Sequence, residues 1–191
     1  MPLIYDGPLH DGPLRQGEIL AGVSEYRVLP NPPGGYLVGE IAHPLVVALS
    51  ADCDLVQEHV ARLTLGSPPG EVQPEQEADG RIVPHVIVCD LFNEETVRGR
   101  PGLNSDLFRR IRRNQDERYH TLPDPRSAQT PPDARPQLFI DFRKALSIPT
   151  TSLYLAIEQK MIQRISVVPH TYVHDLIQRF FAFHSRVGTP D

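Results

Sequence analysis

The apolar residues of this chain fall in short runs bounded by turn-forming residues, and the spacing within each run sets the element it predicts. Strands are expected from Glu18 to Leu20, Val23 to Leu29, Tyr36 to Glu40, Pro44 to Ser50 and His85 to Leu91. Within these, the stretches Leu45 to Leu49 and Val86 to Val88 do not alternate. Unbroken apolarity at strand length implies cover on both faces, which puts both stretches at the centre of a sheet. Three later segments do alternate: Leu138/Ile140/Phe142, Leu153/Leu155/Ile157 and Ile165/Val167. They read as half-buried antiparallel strands.

A longer period marks two helices. The first runs from Ser105 to Gln115, with Asn104 or Ser105 as cap; Leu103, Leu107, Phe108 and Ile111 share one face, and Arg109, Arg112 and Arg113 share the other. The second runs from Thr171 to Val187, with Val173, Leu176, Ile177, Phe180, Phe181 and Phe183 in a single stripe, and Gly188-Thr189-Pro190 stops it. A stripe that aromatic must be docked against the rest of the fold. His184 falls within it and reads as a histidine at the core edge, its ring on phenylalanines and one nitrogen on a carbonyl or water. Pro/Gly-rich stretches at 30–35, 66–80 and 124–136 read as irregular connections.

Composition narrows the function classes. A length of 191 residues suits one domain with its own core. The net charge of -5 argues against a globally basic nucleic-acid binder, so any basic site is local. Two cysteines, Cys53 and Cys89, are too few for a disulfide framework and fit a reducing compartment. The N-terminus has no secretory pattern and no apolar run approaches the roughly 20 residues that span a bilayer, so a cytoplasmic protein without membrane contact is expected. Proline, at 20 residues, favours many short elements with rigid connections.

Three places could carry chemistry. Asp52-Cys53-Asp54 follows the most apolar strand, and the thiol becomes a nucleophile only if a cation such as His85, Arg118 or His120 offsets the flanking carboxylates. The alternative is a buried cysteine beside turn-capping aspartates. A metal centre would recruit these residues with Cys89, His43, His85 or His120, yet no C-x-x-C or H-x-x-x-H spacing occurs; no metal or cofactor is expected. The stretch from Arg98 through Arg118 sets seven arginines against Asp106, Asp116 and Glu117, and Tyr119 and His120 follow. That combination reads either as a solvated helix face or as a surface where phosphates meet guanidinium and bases stack on rings.

The order Gln16-Gly17-Glu18-Ile19, then His43-Pro44-Leu45-Val46-Val47-Ala48-Leu49-Ser50, then His85-Val86-Ile87-Val88-Cys89 resembles the MazF/PemK toxin family. The resemblance implies a small SH3-like β-barrel with helices, usually dimeric, that cleaves single-stranded RNA without a metal and is neutralised by an antitoxin. His43 stands where the family carries its arginine before proline, and Cys89 or Asp90 where it carries a Ser or Thr. Histidine titrates near neutral pH and can serve as acid or base. Ser50-Ala51-Asp52-Cys53-Asp54-Leu55 and Arg118 to Pro123 are also similar to a group of uncharacterised bacterial proteins, which implies no activity.

The expectation is therefore an α+β fold: a partly closed antiparallel SH3-like barrel with a basic helix and a docked C-terminal amphipathic helix. Its candidate catalytic residues are His43, Asp52, Cys53, Asp54 and His120, and its candidate RNA contacts are Arg109, Arg112, Arg113, Arg118 and Tyr119. Expected partners are single-stranded RNA, an antitoxin or larger protein, and a second copy of the chain. The alternative is a noncatalytic interaction module working beside a larger partner in a bacterial regulatory or defence system. Every functional reading needs the two central aliphatic runs side by side, with their polar ends at one rim.

Overall fold

The structure is a computed structural model that describes residues 5–8, 11–31, 33–64, 80–127, 130 and 134–186. Two long strands, β1 (Glu18–Asn31) and β2 (Gly35–Ala48), pair antiparallel from Ile19↔Val47 to Asn31↔Gly35. With β3 (His85–Phe92), β4 (Tyr119–Pro123), β5 (Gln137–Pro149) and β6 (Gln163–Val167) they form one antiparallel sheet in the order β4-β5-β3-β2-β1-β6.

The two aliphatic runs are neighbours at the middle of this sheet, as expected, with Val46↔Asp90, Val47↔Cys89 and Ala48↔Val88 in register. Leu45, Val47, Leu49, Cys89 and Leu91 enter one core cluster, and Val46, Ala48, Val86 and Val88 enter another. Successive side chains thus point to opposite covered faces, which is why the runs are continuously apolar.

Five helices occur among the described residues: α1 (Asp52–Thr64), α2 (Glu94–Arg98), α3 (Ser105–Arg112), α4 (Thr150–Glu158) and α5 (His170–His184). Val173, Leu176 and Phe180 of α5 belong to the first cluster; Leu55 of α1 and Leu153 of α4 belong to the second. A third cluster joins Val97 and the α3 residues Phe108 and Ile111 to Tyr119 and Phe139. The docked C-terminal helix is thus present, and its last expected residue, Val187, with the Gly188 stop, lies outside the described residues. The same holds for residues 66–79 of the second expected connection and for parts of the third.

Three expectations need correcting. The sheet does not close into a barrel: β4 pairs only with β5 and β6 only with β1 among the strands, and helices cover the faces instead of a closing strand. The segment Leu153 to Ile157 is helical rather than extended: although Leu153, Leu155 and Ile157 alternate, Leu153, Ala156 and Ile157 fall at helical spacing and pack on the second cluster. Pro149 ends β5, and the Thr150 N–H and hydroxyl anchor the new helix to the carbonyls of Pro84 and Val83. Helix α1 was not expected at all, since it turns Glu58 and Arg62 inward as an ion pair and leaves Val56, Val60 and Leu63 exposed. Burial pushes the Glu58 carboxyl up in spite of that partner.

The basic helix α3 begins where expected, with the Asn104 side chain accepting from the Leu107 N–H, but stops at Arg112. Asn114 takes a left-handed conformation at φ 54°, which ends the helix before Gln115. The ring of His184 lies 4.5 Å from that of Phe180, and its Nε2 is 3.1 Å from the Phe142 carbonyl oxygen. Among the described residues no helix is long and apolar enough to cross a membrane.

Candidate functional site

A break in the β3–β5 ladder builds the site. Leu91 pairs with Ile140 and Cys89 with Ala145, so the four residues 141–144 stand opposite Asp90 alone. Such a bulge bends the strand and re-aims its side chains. Here it buries the Asp141 carboxylate completely and meets it with two arginines. Arg118 donates from Nε to Oδ1 at 2.7 Å and from Nη2 to Oδ2 at 2.5 Å, and Arg100 donates from Nη1 to Oδ2. Burial alone would raise the Asp141 pKa, but the hydrogen bonds and charge of Arg118, the Arg143 N–H and the charge of Arg100 outweigh it and hold the carboxyl below its ordinary range.

The two guanidiniums are fixed from their other side by rings. Arg100 lies 4.3 Å from the Phe92 ring centre, Arg118 lies 4.8 Å from that of Tyr119, and Arg100 also donates to the Tyr119 hydroxyl at 3.0 Å. Together with Asp90, Leu103 and Lys144 these residues line a cleft of about 640 Å³. Its volume falls in the usual range of small-ligand sites, roughly 300–1,000 Å³. Helix α5 braces the floor: Arg179 donates to the carbonyls of Asn114, Asp116 and Tyr119 and so fixes the segment that carries Arg118.

His43 sits behind Asp90. Its Nδ1 lies 2.6 Å from Asp90 Oδ1 and its Nε2 3.6 Å from Glu25 Oε2, and Arg27 in turn holds Glu25. The imidazole is 9% exposed and does not line the cleft. Asp90 is the member of this pair that a ligand would touch.

The other expected catalytic residues do not gather here. The antiparallel pairing of β2 with β3 sends the polar end of β2 to the opposite rim from Asp90, where the Ser50 hydroxyl accepts from the Ile87 N–H, so the polar ends of the two runs do not gather at one rim as expected. Asp52 accepts from the Gln16 N–H at 2.6 Å and lies 3.8 Å from Arg15; the exposed Cys53 thiol is 3.4 Å from Asp54. Neither Arg118 nor His120 bonds to any of the three. His120 is buried on β4, its pKa pushed down to about 3 by burial and by Arg179, with Asp175 the nearest acid at 3.9 Å. Of the expected RNA contacts, Arg118 and Tyr119 line the cleft. Arg109 pairs with Asp106, Arg112 donates to Gln137, and Arg113 caps α3, all three on its exposed face.

Phe92, Arg100, Lys144 and Asp141 are the members that sequence reasoning missed. Asp141 did leave a signal, an acid set inside the run Leu138-Phe139-Ile140-Asp141-Phe142. A carboxylate in such a run needs a buried cation, and the arginine-rich stretch supplies two. Among the described residues no group of three His, Cys, Asp or Glu side chains could hold a metal ion. No family model, curated protein or solved structure matches this chain.

Proposed function

We propose that the protein binds single-stranded RNA at the Arg100–Arg118 cleft, with the arginine face of α3 beside it engaging the backbone. One observation carries this reading: guanidiniums held over the rings of Phe92 and Tyr119, next to the exposed Lys144, in a cleft of small-ligand size. Single-stranded recognition uses these parts, planar groups on which an unstacked base lies and cations that meet phosphate. Asp90, which lines the cleft, accepts from base N–H groups in this reading.

The proposed MazF/PemK kinship rests on the order of the aliphatic runs and is supported by their pairing. The reading is binding without cleavage through His43. That imidazole is enclosed between Asp90 and Glu25, and a general acid or base must come within hydrogen-bond reach of the reacting group.

Fluorescence anisotropy with a labelled single-stranded oligoribonucleotide tests the proposal. The expected result is an affinity that falls steeply as salt rises and that a chain carrying Lys144→Glu largely loses. No binding at low salt, or binding indifferent to Lys144→Glu, overturns it.

A further inference from the structure

The pairing of β1 with β6 spans only Glu18 to Ala21, and that of β2 with β3 only Val46 to Ala48. From Val23↔His43 to Asn31↔Gly35 the two long strands therefore continue as a ribbon with no further strand on either edge among the described residues. A two-stranded ribbon alone in water is marginally stable and needs cover. This one is apolar on both faces. Tyr26, Val28, Val38 and Tyr36 share one face at 68%, 67%, 71% and 78% exposure, with Val28↔Val38 directly opposed; Leu29, Leu37 and Ile41 lie on the other.

A groove opens at the root of the arm. It measures about 660 Å³ and runs between the ribbon and α4, lined by Val23, Tyr26, Ile148, Leu155, Ala156 and Met161. Of the ribbon residues that line it, Ser24, Tyr26 and Glu40 share the face of Val28, Val38 and Tyr36, while Val23 and Glu25 border it from the other, so the groove adjoins the Tyr26 face at the root of the arm.

We propose that two copies of this chain exchange arms, the Tyr26/Val28/Tyr36/Val38 face of each lying in the groove at the root of the other. A two-fold axis pairs arm with groove twice in one operation, which is how an isologous interface closes. The four exposed apolar side chains of that face, Tyr26, Val28, Tyr36 and Val38, offer on the order of 400–500 Å², and the groove lining of the same chain adds to it, toward the roughly 800 Å² per partner of a standard interface. Charge favours a second copy over a charged stranger. Between Val23 and Ala42 only Glu25, Arg27 and Glu40 are charged; Glu25 and Arg27 pair with each other and Glu40 accepts from the Ser24 hydroxyl, so a single net charge per copy stands against an otherwise apolar contact although the chain carries -5. The inference stands independently of RNA binding, since the cleft lies at the β5 bulge.

Sedimentation of the full chain over a range of concentrations tests it, with circular dichroism as the check on folding. A dimer is expected, and Val38→Glu or Tyr36→Glu should raise its dissociation constant by at least about 30-fold while leaving the fold intact, because neither side chain touches a core cluster. In a Cys53→Ser background, mixing a Val38→Cys chain with an Ala156→Cys chain should yield a disulfide-linked heterodimer. A chain that stays monomeric throughout, a dimer that survives both glutamates, or Val38→Cys chains that link only to themselves would overturn the proposal; so would an arm that binds only a different protein.

Discussion

Arg118 and Asp141 meet through two parallel hydrogen bonds, Nε to Oδ1 and Nη2 to Oδ2, with the carboxylate wholly buried. The pair fixes the guanidinium of the cleft and anchors the segment between α3 and β4. It also links the cleft to stability, because truncating either partner strands the other.

Arg118→Ala should therefore lower unfolding free energy by about 2 kcal/mol, less than a fully isolated buried charge would cost, since Arg100 still reaches Asp141. Urea denaturation at neutral pH measures it. The pH dependence follows from linkage. The folded Asp141 pKa lies below the ordinary 3.8, so the unfolded chain takes up the proton first as pH falls. The stabilisation is complete above that value and disappears below it. Asp141→Asn should flatten the acid limb of the stability curve, and an unchanged limb would contradict the assignment.

His120 predicts a second limb at milder pH. The unfolded imidazole titrates near 6.5 and the folded one near 3, so stability is full above 6.5 and falls steadily as pH drops between those values. Roughly 1–2 kcal/mol should be lost on going to pH 5. Because His120 Nδ1 has no hydrogen-bond partner, His120→Leu should cost little at pH 7 and remove this slope. Thermal melts of both proteins from pH 7 to pH 5 compare them directly.

The two thiols should separate cleanly. Cys53 is exposed at the start of α1, whereas Cys89 is fully buried, donates to the Asp141 carbonyl, and has its pKa pushed up by burial and by Asp90 and Asp141. Thiol titration should count one reactive group in the native protein and two after denaturation. Rapid native labelling of Cys89 would mean that the β3–β5 bulge opens.

RNA affinity should follow the cleft and not the Asp52-Cys53-Asp54 turn. Lys144→Glu should weaken binding at least tenfold, and Arg109→Glu with Arg112→Glu should reduce the salt slope. Cys53→Ala should leave both unchanged. Binding that Cys53→Ala abolished would move the site to the other rim.

How much of this the sequence declares depends on what each residue faces. The paired runs on β2 and β3 were legible because both faces of the sheet are covered, and the α5 stripe because one face is. Helix α1 was hidden by its inverted pattern, with Glu58 and Arg62 inside and Val60 and Leu63 outside. Arg118 and Tyr119 were found through local charge and adjacent rings, but their true companions, Asp141 and Phe92, arrive from β5 and β3 through a ladder break that no spacing encodes. His43 was read as a possible acid or base without any sequence argument for its neighbours, and these prove to be Asp90 and Glu25, with the ring off the cleft. The DCD turn was grouped with His43 because strand direction, which sends them to opposite rims, is invisible in the pattern.

Arg164 of β6 grips Glu18 of β1 and the carbonyls of Gly12 and Pro13, across 146 residues in the case of Glu18. A nascent chain that emerges N-terminus first must therefore carry β1 with one open edge, and Glu18 without its cation, until β6 leaves the ribosome. Assembly of the sheet is a late event, and a chain halted before residue 163 would leave the Glu18–Ala21 edge of β1 open to any other chain or chaperone that pairs with it.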